Sequence, residues 1–228
     1  MESIQAAVMQ EMFRYFDSEK VKKLENYRQL NPYVKKGGIL FTGSSLMEQF
    51  PICEYCIDSG ITLPVYNRGI GGYTTDDFLK AIDIQLFDLE PSKIFINIGT
   101  NDFNKRKDGS DWEEHLLKNY EEILQQIKER LPKAKVILMA YYPVNEHLPE
   151  AKKTAATDRM LAVRTNENLK RVNMKICQLA ERFGYQYVDA NDGLTDEKGD
   201  LKEEYTIEGI HMYTGTYKIV FENLRKYI

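Results

Sequence analysis

Cysteine is scarce in this chain of 228 residues, which has only Cys53, Cys56 and Cys177. An odd, sparse set cannot form the framework of a small disulfide-stapled fold, and a chain of this length buries enough surface to need no staple. Cys53 and Cys56 form a lone C-x-x-C. No second Cys pair or His pair stands at zinc spacing, and no Gly-Pro type of turn lies between them, so structural thiols outweigh a thioredoxin-like motif. Excess positive charge is also missing. Lys and Arg number 31 against 35 Asp and Glu, a net charge of -4, which argues against a dedicated nucleic-acid binder. No apolar run is long enough to span a bilayer. The opening MESIQAAVMQEMFRYF lacks the cationic, apolar and small-residue regions of a signal peptide, so the expected location is cytoplasmic. No H-E-x-x-H, Walker pattern or other ligand cluster appears, and neither a metal nor a cofactor is expected.

The composition is that of a globular domain, 43% hydrophobic and 29% charged. At the amino terminus Ala6, Met9, Met12, Phe13 and Phe16 recur at three- and four-residue steps. A second segment, Ser18 to Leu30, carries Val21, Leu24 and Tyr27 on one side until Asn31-Pro32 stops it. The expectation is an amphipathic helix pair within residues 1–36, an extension packed on a main domain of residues 37–228. After Gly37-Gly38, short apolar runs alternate with helical stretches. Strands are expected at Ile39 to Thr42, Thr62 to Tyr66, Lys93 to Ile98, Lys135 to Ala140 and Gln186 to Val188. Helices are expected near Thr75 to Leu89, Trp112 to Leu131, Met160 to Phe183 and Gly215 to Tyr227. Continuous apolar strands separated by helices imply parallel crossovers. The fold class is therefore α/β, a three-layer α/β/α sandwich around a five-stranded parallel sheet in the flavodoxin-like order 2-1-3-4-5.

In such sheets chemistry sits in the loops at the carboxyl ends of strands. Thr42-Gly43-Ser44-Ser45-Leu46 follows the first strand, and Asn67-Arg68-Gly69-Ile70-Gly71-Gly72-Tyr73-Thr74 the second. Gly99-Thr100-Asn101-Asp102 follows the third, and Glu208-Gly209-Ile210-His211 stands near the carboxyl terminus. Each block has a bland reading. Gly-Ser-Ser alone is a turn or helix cap, Asn101-Asp102 a turn pair, and His211 a satisfied structural histidine. The glycine loop fails as a dinucleotide cradle because Thr74 occupies the place of the third glycine. An α/β-hydrolase elbow is excluded because Met47 stands where its last glycine would be, and because the serine follows the first sheet strand. Together the blocks supply what a serine hydrolase needs: a nucleophile, oxyanion donors and a base with its orienter.

At these four places the chain resembles the SGNH, or GDSL-like, hydrolase family, with the blocks in family order from Ile39 to Tyr217. The resemblance implies the flavodoxin-like fold of that family and an esterase or acylhydrolase working without a cofactor. It places the catalytic serine at Ser45, the base at His211 and its acidic partner at Glu208. It places the oxyanion hole at the backbone of Ser45 and Gly72 and the side chain of Asn101. Two departures stand out. Ser44 replaces the aspartate of Gly-Asp-Ser-Leu, which leaves Ser44 beside Ser45 as a second hydroxyl, with register favouring Ser45. Glu208 replaces the usual aspartate, and its extra methylene must be absorbed by the backbone.

The segment from Tyr141 to Arg159 is expected to form part of the pocket wall, and Tyr73, Phe103 and Tyr142 to offer aromatic surface, against the bland reading of packing. His115 is read as solvated, His147 as a surface residue, and Arg164 and Asn166 as supports of the loop after strand four. No long hydrophobic channel is visible. The expected substrate is a small ester with a short acyl group such as acetyl, on a carbohydrate or similar polar alcohol. The competing readings are an acyltransferase of the same fold, and a non-catalytic carbohydrate-binding module on a decayed hydrolase. Neither a nucleic acid nor a membrane is an expected partner, and the sequence leaves the oligomeric state open.

Overall fold

The computed structural model describes residues 2–106 and 108–228, and of residues 2–6 and 9 the backbone alone. Its centre is a parallel sheet of five strands: β1 (Ile39–Gly43), β2 (Val65–Asn67), β3 (Lys93–Asn97), β4 (Lys135–Met139) and β5 (Gln186–Val188). Their order is β2-β1-β3-β4-β5, as expected from the alternating pattern. β1 is buried along its whole length, as an interior strand covered on both faces must be. β2 starts later than expected. Pro64 has no N–H for the ladder, but its carbonyl accepts the Ile39 N–H at 2.8 Å just before pairing begins.

The helices are α1 (Glu2–Leu30), α2 (Ser45–Glu48), α3 (Ile52–Asp58), α4 (Thr75–Gln85), α5 (Trp112–Arg130), α6 (Ala155–Leu161), α7 (Asn166–Phe183) and α8 (Tyr217–Leu224). The expected amino-terminal pair is a single helix, α1. The Ser18 hydroxyl donates back to the Tyr15 carbonyl at 2.7 Å, so a residue that often opens a helix is absorbed inside one. The side chains of Ala6 and Met9, read as part of its apolar face, lie outside the described residues. The helix expected from Met160 to Phe183 is broken, because Thr165 caps α7 by accepting the Asn168 N–H. The closing helix is shorter than expected, with single 3-10 turns on either side of α8.

Alternation along the strands makes two cores. Leu40, Ile94, Ile96, Val136 and Leu138 face Phe78, Tyr120, Ile123 and Val172 of α4, α5 and α7. Phe41, Phe95, Ile137 and Met139 face Met47, Ile52, Tyr217 and Phe221 of α2, α3 and α8. The second half of α1 lies over the first layer, with Leu24 and Tyr27 against that core. No helix among the described residues is long and apolar enough to cross a membrane.

Candidate active site

β1 ends against β3 so closely that only glycine fits at the junction. A Cβ on Gly43, whose φ is +152°, would stand 1.9 Å from the Asn97 carbonyl oxygen. The chain then turns into α2 with Ser44 extended at the cap position. Ser44 is wholly buried, and its hydroxyl has no partner among the described residues. Ser45 is the first residue of α2 and is only partly buried. Its Oγ lies 2.9 Å from His211 Nε2. Of the two adjacent serines, Ser45 is the one that meets the histidine.

His211 ends a tight turn. Thr206 Oγ1 accepts the Gly209 N–H and donates to the His211 carbonyl, each at 2.8 Å. The Asn145 N–H, from the loop after β4, donates to the Gly209 carbonyl at 2.8 Å. Inside this turn Glu208 Oε1 lies 2.6 Å from His211 Nδ1 and accepts the His211 backbone N–H at 3.0 Å. Gly209, at φ +99°, supplies the bend that lets the longer side chain of glutamate fold back onto the ring. A carboxylate at Nδ1 calls for a proton there and leaves the Nε2 lone pair facing Ser45. Burial alone would raise the Glu208 carboxyl, but the hydrogen bonds and charge of His211 outweigh it and hold Glu208 below its ordinary value.

The glycine loop after β2 packs beside the serine, where a Cβ on Gly71 would stand 3.7 Å from that of Ser45. The Gly71 N–H donates to the carboxylate of Glu48, at the end of α2, and Glu48 also pairs with Lys23 of α1. Tyr27, one turn further along α1, donates its hydroxyl to the Gly69 carbonyl at 3.1 Å. Gly72 has φ +73°, and a Cβ there would meet Lys20 Cε at 2.8 Å. The preference for glycine at this position comes from its backbone conformation, since the end of the flexible lysine side chain could move aside. Ser45 N–H opens α2 and has no acceptor within that helix. Neither it nor the Gly72 N–H donates to the backbone among the described residues. Asn101 completes the group. Its Nδ2 donates to the Tyr73 carbonyl at 3.0 Å, and its Oδ1 accepts from Arg164 Nη2 at 3.0 Å. Ser45, His211 and Glu208 therefore form one hydrogen-bonded chain, with the glycine loop beside it and Asn101 tied to that loop through the Tyr73 carbonyl.

Several surrounding residues differ from expectation. Tyr73, Phe103 and Tyr142 are buried core residues rather than open aromatic surface, and Phe103 packs on Trp112 with ring centroids 4.4 Å apart. The segment after β4 props the His211 turn, where Asn145, Leu148 and Leu161 surround Gly209. Asn166 holds that segment, as expected, by bonding both the N–H and the carbonyl of Val144. Arg164 instead reaches Asn101. His115 is not simply solvated, since Nε2 lies 2.9 Å from Asp76 Oδ2. His147 is exposed and bonds to buried Asp200 at 2.5 Å. Sequence reading missed Lys20, Lys23, Tyr27 and Glu48. Only Glu48 carried a signal, three residues after Ser45 on the same short helix.

A cavity of about 360 Å³ opens beside Asn101, lined by Thr74, Asp76, Asn104, Arg106 and Asp108 among others. Asp102 is buried at its edge, accepting the Thr75 N–H at 2.9 Å and the Thr75 hydroxyl. Burial raises its carboxyl to about 6 against these bonds. Among the described residues no group of three or more His, Cys, Asp or Glu could hold a metal ion, and the three thiols are free.

The sequence profile of the GDSL-like lipase/acylhydrolase family matches residues 52–219. That span contains Gly72, Asn101, Glu208 and His211 and begins after Ser45. A chain from Streptococcus pneumonia, provisionally described as a platelet activating factor, superposes with a TM-score of 0.84 at 32% identity, covering 97% of this chain and 98% of that one. The platelet-activating factor acetylhydrolase IB subunit alpha2 of Homo sapiens is 24% identical over 196 residues, 85% of this chain and 77% of that protein. An acetylxylan esterase from Geobacillus stearothermophilus shares the fold at 17% identity and a TM-score of 0.63, covering 85% of this chain and 95% of that one.

Proposed function

The chain belongs to the GDSL-like lipase/acylhydrolase family and is a hydrolase of ester bonds, and from that premise we propose that it is a serine esterase working through an acyl-Ser45 intermediate. The observation that carries this reading is the continuous contact from Ser45 Oγ to His211 Nε2 and from His211 Nδ1 to Glu208. A serine hydroxyl is a weak nucleophile until a neighbouring base takes its proton. In the proposed reaction Ser45 Oγ attacks the ester carbonyl and His211 Nε2 receives the proton. Glu208 holds the ring in the tautomer that can do so and stabilises the imidazolium. The oxyanion is met by the N–H groups of Ser45 and Gly72 and by Asn101 Nδ2, each such donor contributing about 3–4 kcal/mol to the transition state. His211 then protonates the departing alcohol, and water, activated by the same nitrogen, releases the acid from Ser45. This arrangement weighs against a decayed, purely binding module.

The proposed substrate is a short acyl ester, acetyl in the first instance, of a carbohydrate or similar polar alcohol. Two of the similar proteins are named for the removal of acetyl groups. The cavity beside Asn101 is lined by polar and charged residues, which offer hydrogen-bond partners to the hydroxyls of such an alcohol. Residues 1–36 are read as an extension of the domain at 37–228, with its second half bracing the Gly69–Gly72 loop. The free thiols fit a reducing, cytoplasmic setting. The test is hydrolysis of p-nitrophenyl esters of increasing chain length and of acetylated xylo-oligosaccharides. Acetyl is expected to be preferred, with Ser45→Ala and His211→Ala each folded and nearly inactive. Undiminished turnover in Ser45→Ala would overturn the mechanism, and a preference for long chains would overturn the substrate class.

A further inference from the structure

Arg164 lies in the connection between α6 and α7 and is 4% exposed. A guanidinium is costly to bury without a charged partner. Yet Arg164 donates Nη2 to a neutral amide, Asn101 Oδ1, at 3.0 Å, while its buried Nε meets no acceptor among the described residues. Burial lowers it to about 10, against the through-space influence of Glu208 first, then Tyr141 and Asp102, so it remains a cation at neutral pH. A position needed only for packing would be served by an uncharged side chain.

The chemistry of the contact gives the cation a use. Guanidinium can only donate, so it fixes which end of the Asn101 amide faces it. The oxygen must point to Arg164 and the NH₂ must point away. One of the two amide hydrogens is taken by the Tyr73 carbonyl, which leaves the other for a ligand. A cation on the carbonyl oxygen also draws electron density from the amide and strengthens the remaining N–H as a donor.

We propose that Arg164 is a positioning residue of the oxyanion hole, locking and polarising the Asn101 amide so that its free N–H meets the developing oxyanion. This rests on the reading of Asn101 as an oxyanion donor. It acts at a distance from the reacting atoms and differs from loop support, because its one side-chain hydrogen bond among the described residues is to Asn101, and its effect is expected to pass through that amide.

A double-mutant cycle tests this with p-nitrophenyl acetate, measuring kcat, KM and the thermal midpoint of each variant. Asn101→Ala is expected to lower kcat about 10²- to 10³-fold. Arg164→Met is expected to lower kcat about 10- to 100-fold, less than loss of the donor itself, with little change in KM. The double variant should be no slower than Asn101→Ala alone. If Arg164→Met does not fold, Arg164→Lys serves the same cycle: a smaller loss of kcat that disappears in the Asn101→Ala background. Losses that multiply in the double variant, or a lowered thermal midpoint with wild-type kcat, would overturn the proposal. Loss in Asn101→Ala with full activity in the folded Arg164 variant overturns this inference alone, whereas wild-type kcat in Asn101→Ala overturns the oxyanion assignment on which it rests.

Discussion

Replacing Glu208 by glutamine removes a charge while leaving an oxygen available in the same place, and the geometry sets the size of the effect. Glu208 Oε1 serves two donors, His211 Nδ1 at 2.6 Å and the His211 backbone N–H at 3.0 Å. The backbone N–H demands an acceptor, so the amide oxygen of Gln should be held where Oε1 now lies and the ring should keep its tautomer. What disappears is the attraction between carboxylate and imidazolium. Two unit charges about 4 Å apart attract by about 4 kcal/mol at the effective dielectric of a protein surface. The two side chains are 23% and 22% exposed, and water reduces this to roughly 2–3 kcal/mol. At about 1.4 kcal/mol per tenfold, Glu208→Gln should lose roughly 30- to 150-fold in kcat for p-nitrophenyl acetate, with KM unchanged. A loss near 10⁴-fold, the order seen when a catalytic histidine takes the wrong tautomer, would mean that the backbone does not pin the side chain. Full activity would mean that the Glu208 charge has no part in the reaction.

Ser44→Ala should leave kcat within about twofold and leave stability unchanged or raised by up to about 1 kcal/mol, because it removes a buried hydroxyl without a partner; a tenfold loss of activity would refute the assignment to Ser45. Asp102, raised by burial to about 6, binds its proton more tightly folded than unfolded, so its contribution to stability is present below about pH 4 and is lost as pH rises through about 6. Denaturation across that window should show about 2–3 kcal/mol more loss in wild type than in Asp102→Asn, and identical slopes would refute it.

The parts of the fold read correctly from sequence are those governed by local pattern. Apolar runs such as Ile94 to Ile96 and Val136 to Ala140, with the helical period of Trp112 to Leu131 between them, carried the sheet and its order. Boundaries failed where one residue type plays two roles. Ser18 looked like a helix start but back-bonds within α1. Thr165 looked like the interior of a helix but caps one, and Thr165-Asn166-Glu167-Asn168 was a readable capping signal. In the candidate site, Ser45, Gly72, Asn101, Glu208 and His211 were legible because each follows a strand or lies within a short, spaced block. Arg164 and Lys23 were not, since their contacts join segments 63 and 25 residues apart and no periodicity records such pairings. Tyr73, Phe103 and Tyr142 misled for the opposite reason: an aromatic after a strand packs into a core as readily as it lines a pocket.

In the proposed mechanism Ser45 Oγ is the hydroxyl activated by His211. Labelling the protein with a fluorophosphonate and mapping the modified peptide measures that activation without assuming a substrate. A single adduct on Ser45 is expected, abolished in Ser45→Ala and greatly slowed in His211→Ala. An adduct on Ser44 or elsewhere, or labelling of Ser45 at an undiminished rate without His211, would contradict it.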